Sequence, residues 1–167
     1  NVIAKPLSEH FTVTNVDLRN HGLSPHSDEM SYPAMAKDIV ELLRHLNIKK
    51  THIIGHSMGG KVAMELALTQ PELIEKLIVL DIAPVTYPPR HTKILQALNA
   101  VASEHIEDRK HADDLMQPYI DELGVRQFLL KSLAKNEAGK LTWRFNLPVL
   151  DKKYPNILSN VNENNSC

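Results

Sequence analysis

The sequence predicts an α/β fold: a parallel sheet with strands and helices in βαβαβ order, followed by a helical cap. Three observations predict it. Residues 51–54 (THII) have strand character, run into Gly55-His56-Ser57-Met58-Gly59, and pass directly into helical spacing over residues 60–70. Residues 76–81 (KLIVLD) form a nearly unbroken apolar run, as a strand covered on both faces would. Each crossover between strands carries a helix, which calls for parallel, right-handed connections.

The bulk properties allow one such domain. With 167 residues, 43% hydrophobic and 23% charged, the chain can bury a core, which excludes disordered and collagen-like classes. Nineteen Lys plus Arg stand against 20 Asp plus Glu, a formal net charge of -1, so no global field grips nucleic acid or an anionic membrane. Cys167 is the sole cysteine, which rules out an internal disulfide and fits a reducing, cytoplasmic setting. No apolar run approaches the roughly 18 residues of a membrane span.

Taken in order, residues 1–9 read as the tail of a helix, and residues 11–17 (FTVTNVD) alternate β-branched and polar residues as a first strand. The loop over 17–25 is dense in turn formers, and its His21 reads as a hydrogen-bonded loop histidine. Ser31 is a good N-cap, after which Met35, Ile39, Leu42, Leu43 and Leu46 recur at helical intervals. Residues 51–55 make the second strand. The helix after Ser57 turns Val62, Leu66 and Met64 inward until Pro71 stops it, and residues 76–81 make the third strand. Pro84, Tyr87, Pro88 and Pro89 form a stiff connector. Beyond it residues 92–102, 111–123 and 125–134 read as helices with no strand between them, and residues 141–147 (LTWRFNL) as an extended return segment. The expected organisation is a core over 1–84, a helical cap and return segment over 85–158, and a disordered Asn-rich tail over 159–167.

The stretch Gly55-His56-Ser57-Met58-Gly59 carries the chemistry. Gly-x-Ser-x-Gly between a strand and a helix is a nucleophile elbow, which holds the serine in a strained turn with its hydroxyl clear of the sheet. Ser57 is therefore the candidate nucleophile, with Gly55 and Gly59 expected to permit the close approach of strand and helix. The same residues also satisfy G-x-x-x-x-G-K, the phosphate-cradling loop, but Val62 stands where that loop needs a Ser or Thr oxygen for magnesium. A serine hydroxyl needs a base, and the base an acid to orient it. Asp81, ending the next parallel strand, is the best acid, although a polar residue there can simply start a loop. His91, His105 and His111 follow Asp81 as the fold's chain order asks of a base, yet each sits in a helical, solvated context. His56 is too near Ser57 in sequence to reach over it. One oxyanion donor would be the Met58 backbone amide, and a second belongs on a loop after an earlier strand, which this sequence lacks. Metal-ligand spacing is absent, so no metal is expected.

Several motifs together resemble one family. Asp17-Leu18-Arg19-Asn20-His21-Gly22-Leu23-Ser24-Pro25, Tyr32-Pro33-Ala34-Met35-Ala36, the elbow, Asp81-Ile82-Ala83-Pro84-Val85, Gln127-Phe128-Leu129-Leu130-Lys131-Ser132 and Trp143-Arg144-Phe145-Asn146 closely resemble the YbfF-type esterases of the α/β-hydrolase superfamily. The likeness implies hydrolysis of acyl esters and thioesters through a Ser–His–Asp triad without a cofactor. Ser57 matches the nucleophile and Asp81 the acid. It also implies a longer protein, in which a His-Gly oxyanion loop precedes residue 1 and the catalytic histidine follows further strands. The chain is thus expected to be the central part of a cap-bearing serine hydrolase acting on a small-molecule acyl substrate, and slow by itself. Two alternatives stay open: a non-catalytic binding protein on the same fold, and a carbon–carbon hydrolase or lyase.

Overall fold

Helix α2 (Tyr32–His45) begins where its sequence dictates, with the Ser31 hydroxyl accepting the Ala34 amide (3.3 Å) and proline in its first turn. It buries Tyr32, Met35, Ala36, Val40 and Leu43 along one face, while Leu46, expected inside, lies past its end and is exposed. The computed structural model describes residues 3–161. Among the described residues, the helix before α2 is a single turn, α1 (Ala4–Leu7). After it come β1 (Thr51–His56), α3 (Met58–Thr69), a 3-10 turn (Pro71–Leu73) and β2 (Ile74–Leu80). The strands pair in parallel, His52 opposite Lys76 through His56 opposite Leu80, with a register shift between Thr51 and His52. Helices α2 and α3 pack together, burying Ala36, Val40 and Leu66 against the partly buried Ile53 and Ile74 of the strands.

Two strands make this ladder where three were expected. Residues 11–17 join no ladder among the described residues. Phe11, 52% exposed, has its ring edge-on to His52 of β1 with centroids 5.8 Å apart. Alternating side chains favour a pleat, but a strand exists only where a neighbour accepts its hydrogen bonds.

A second packing centre follows β2. It is built from α4 (Thr92–Ala102), α5 (Arg109–Met116), α6 (Leu123–Leu130) and the antiparallel pair β3 (Leu133–Lys135) and β4 (Leu141–Trp143). Their shared core is Ala97, Leu98, Val101, Ala112, Met116, Leu130, Leu133 and Leu147. Three expectations change here. Helix α5 starts at Arg109, capped by Asp108, and stops at Met116, because Pro118 has no N–H to continue it. Helix α6 ends at Leu130, and residues 133–135 are a strand rather than helix. Residues 136–140 close the hairpin: the Asn136 side chain accepts the Lys140 amide (3.0 Å), and Gly139 takes φ 75°. The return segment is extended only as β4, with the Trp143 indole donating to the Leu98 carbonyl (3.0 Å), before α7 (Leu147–Lys152) and α8 (Tyr154–Leu158) begin. Of the expected tail, residues 159–161 are described, with Val161 buried; residues 162–167 lie outside the described residues.

Arg126 ties this centre together. Its buried guanidinium donates to Asp113 (3.0 Å) and to the carbonyls of Ile120 (2.8 Å) and Asp121 (2.9 Å), closing the α5–α6 connection. Arg126→Met strands a part-buried carboxylate and two carbonyls. It is expected to cost about 3–5 kcal/mol in urea unfolding, and adding Asp113→Leu should recover part of that loss.

Candidate active site

Ser57 occupies the junction of β1 and α3 with φ 52° and ψ -124°, a region that L residues rarely adopt. Three backbone hydrogen bonds hold it there. The Ser57 amide donates to the Leu80 carbonyl at the end of β2 (3.0 Å), and the Ser57 carbonyl accepts from Gly60 (2.8 Å) and Lys61 (3.3 Å). The serine residue is exposed, and its side chain makes no capping hydrogen bond to its own helix.

The turn depends on missing side chains, but not at both glycines expected. A Cβ on Gly55 would stand 2.3 Å from the Gly59 carbonyl oxygen and 2.7 Å from the Gly60 Cα, so backbone would block it. A Cβ on Gly59 would meet nothing within 4 Å. The second crowded position is Gly60, where a Cβ would lie 2.6 Å from Ile82 and 3.1 Å from Val79. Gly60 is the residue that lets α3 lie on β2, and the pattern Gly-x-Ser-x-Gly-Gly already contained it.

Asp81 follows β2 directly, one strand over from Ser57, with φ 56° and a side chain 90% exposed. Met58 is the first residue of α3, so its amide is one of the donors that a helix start leaves without an intrahelical acceptor. Ser57, Met58 and Asp81 thus share the carboxyl edge of the parallel pair, where ligand sites of such sheets gather. The imidazole of His56 lies beside Asp81, with its Nε2 3.8 Å from the carboxylate. Local sequence does not reveal this pair, which depends on the register placing His56 beside Leu80.

No hydrogen bond or ion pair among the described residues joins a histidine to Ser57. His21 shares its Nδ1 with the Arg19 carbonyl (3.0 Å), and His91 shares its Nδ1 with the Tyr154 hydroxyl (3.0 Å). His105 is exposed, and His111 donates its backbone amide to Asp108. Among the described residues no cluster of three or more His, Cys, Asp or Glu could hold a metal, and no helix is long and apolar enough to cross a membrane. A cleft of about 410 Å³ between α5 and α6, lined by Arg109, Lys110, Asp113, Gln127, Leu130 and Lys131, includes no residue of the elbow.

Lys61, which made a phosphate loop conceivable, points the other way. It is 1% exposed and donates to the carbonyls of Val85 (2.7 Å) and Ser159 (2.5 Å), with Leu158 farther off at 3.4 Å. Burial pushes its ammonium below the ordinary lysine value. The loop before α2 is equally fixed. Asp17 accepts the Leu23 amide (3.0 Å), and Arg19 grips Asp38 of α2 through two 2.7 Å contacts that hold the guanidinium firmly charged. Asn20, fully buried at φ 67°, pairs with Asn146 through backbone (2.9 Å) and side chain (3.1 Å).

The chain that carries this turn has relatives among known proteins. The family model for the alpha/beta hydrolase fold matches residues 1–117. The chain belongs to the α/β-hydrolase fold family. It is 46% identical over 158 residues to esterase YbfF of Escherichia coli K12, covering 94% of this chain and 60% of that protein. It is 44% identical over 158 residues to a putative esterase/lipase of Haemophilus influenzae, covering 94% of this chain and 54% of that protein. Against the mouse sn-1-specific diacylglycerol lipase ABHD11 it is 42% identical over 167 residues, covering 95% of this chain and 54% of that protein. Among solved structures, a marine microorganism esterase superposes with a TM-score of 0.92 at 40% identity, covering 96% of this chain and 64% of that one. The chain therefore spans little more than half the length of these curated relatives.

The glycines give a graded test in urea unfolding. Gly55→Ala is expected to cost at least about 3 kcal/mol, because backbone and not a movable side chain blocks the methyl; Gly60→Ala should cost about 1–3 kcal/mol. Gly59→Ala should stay within roughly 0.5 kcal/mol.

Proposed function

We propose that this chain carries the nucleophile half of a serine hydrolase that cleaves carboxylic esters, and acyl thioesters by the same chemistry. The observation that supports it most is Ser57 at φ 52° on the carboxyl edge of a parallel strand pair, with Asp81 ending the neighbouring strand. Esters are the substrate class named for the relatives, and no cofactor is needed for this reaction.

In that mechanism the Ser57 hydroxyl adds to the acyl carbonyl while a histidine takes its proton. The negative oxygen of the tetrahedral adduct is held by the Met58 amide at the start of α3, where the helix dipole also favours it. The adduct collapses by breaking the bond to the alcohol or thiol, which leaves with the histidine's proton. Water, deprotonated by the same histidine, then releases the acid and restores Ser57. Asp81 orients that histidine. The base comes from outside the contacts described, as does the second oxyanion donor. Residues 85–158 act as the cap that walls the acyl pocket, suited to small or medium acyl groups, and the single cysteine fits a cytoplasmic setting.

One observation favours a second reading for the chain taken alone. With no histidine bonded to Ser57, it would bind acyl ligands with little turnover. A carbon–carbon hydrolase or lyase on the same fold is a further alternative, separated by a substrate panel.

The test is hydrolysis of p-nitrophenyl esters by a full-length protein containing this chain. Ser57→Ala should lower kcat/KM by at least about 10³-fold, and Asp81→Asn by about 10²–10⁴-fold, each with an unchanged unfolding midpoint. Activity that survives Ser57→Ala would remove the proposal.

A further inference from the structure

Lys61 is buried more deeply than any other lysine or arginine among the described residues. Taking an ammonium out of water costs several kcal/mol, and a Met or Leu would fill the same volume without that cost. What lysine adds is three donors on one atom. Here they serve carbonyls on two separate passages of the chain. Val85 lies on the passage leaving β2 towards α4, and Leu158 and Ser159 lie on the passage returning from α8. The rings of Tyr87 and Tyr32 face the ammonium at 4.9 Å and 5.6 Å, and such faces attract a cation.

The two passages are also bonded to each other. The Tyr87 amide donates to the Leu158 carbonyl (2.9 Å), and the Asn160 amide to the Thr86 hydroxyl (3.2 Å). The Tyr32 hydroxyl reaches the Ile157 carbonyl from α2 (2.5 Å). Lys61 is the link from this double passage to the elbow, because its own amide donates to the Ser57 carbonyl (3.3 Å).

We propose that Lys61 is a positioning residue: its ammonium pins both passages between the sheet layer and the helical region to the first turn of the nucleophile helix. The helical region and the backbone of Ser57 are thereby set from one turn. If that region walls the acyl pocket, as the hydrolase reading holds, then Lys61 governs acyl fit without touching substrate. The kinetic consequence rests on that reading; the structural one does not.

Hydrogen exchange on this chain tests the pin. In Lys61→Met the amides of Tyr87 and Asn160 should exchange at least about ten-fold faster, and together, while those of Ile53, Ile54 and Leu66 keep their wild-type rates. Uniform acceleration across all five would make Lys61 an ordinary core residue and overturn the proposal, as would no acceleration at Tyr87 and Asn160. If Lys61→Met does not fold, the wild-type chain still decides: Tyr87 and Asn160 should share one opening free energy and one denaturant dependence. Independent opening of the two refutes the pin. In the full-length protein Lys61→Met should raise KM for acyl esters by about five-fold or more with kcat within about two-fold. Equal losses in kcat and kcat/KM would refute the positioning role. A failure of the hydrolase reading shows separately, as ester cleavage indifferent to Ser57→Ala.

Discussion

Helix α3 lies so close to the parallel pair that neither Gly55 nor Gly60 has room for a methyl group. The rest of the site depends on that approach. It leaves no slack between the end of β1 and the start of α3, so the turn residue must take a positive φ, and Ser57 takes it. The cost of that conformation, of order 1–3 kcal/mol, is met by the Leu80 hydrogen bond on one side and the first helical bonds on the other. The same turn places the free amide of Met58 beside the exposed serine. Strain, exposure and the anion-favouring end of a helix thus have one cause.

Around that turn the molecule uses polar groups sparingly but at junctions. Arg19 joins the loop before α2 to α2 itself, Asn20 joins that loop to the segment before α7, Arg126 joins α5 to α6, and Lys61 joins α3 to the passages on either side of the helical region. Each lies where two separate stretches of the chain meet. A directional donor specifies geometry there that a Leu or Val contact would leave loose. The burial that lowers the Lys61 ammonium below its usual range is consistent with this role, since the carbonyls supply dipoles but leave desolvation dominant.

The elbow was legible because its information is local: two residue types at three fixed positions between a strand pattern and a helix pattern. Helices α2, α3 and α4 were legible for the same reason, each with an apolar face several turns long. What was not legible is set by partners. Residues 11–17 alternate as a strand does, yet nothing in them encodes a neighbour. Strands β3 and β4 are three residues each, too short for a period of two to stand out, and Ala134 and Lys135 suit a helix equally well. Lys61 finds its carbonyls 24 and 98 residues away, so its burial could not be read from the sequence around it. Gly60 was written in the motif itself, but only the packing against Val79 and Ile82 shows that it, rather than Gly59, is the constrained position.

The identity of the nucleophile is open to one direct measurement. A fluorophosphonate reacts with a serine only where a base activates it, and peptide mapping reads the modified residue. The full-length protein should carry a single adduct on Ser57, while this chain alone, with no histidine bonded to that serine, should label far more slowly. An adduct on any other residue, or undiminished labelling of a folded Ser57→Ala protein, would contradict the assignment.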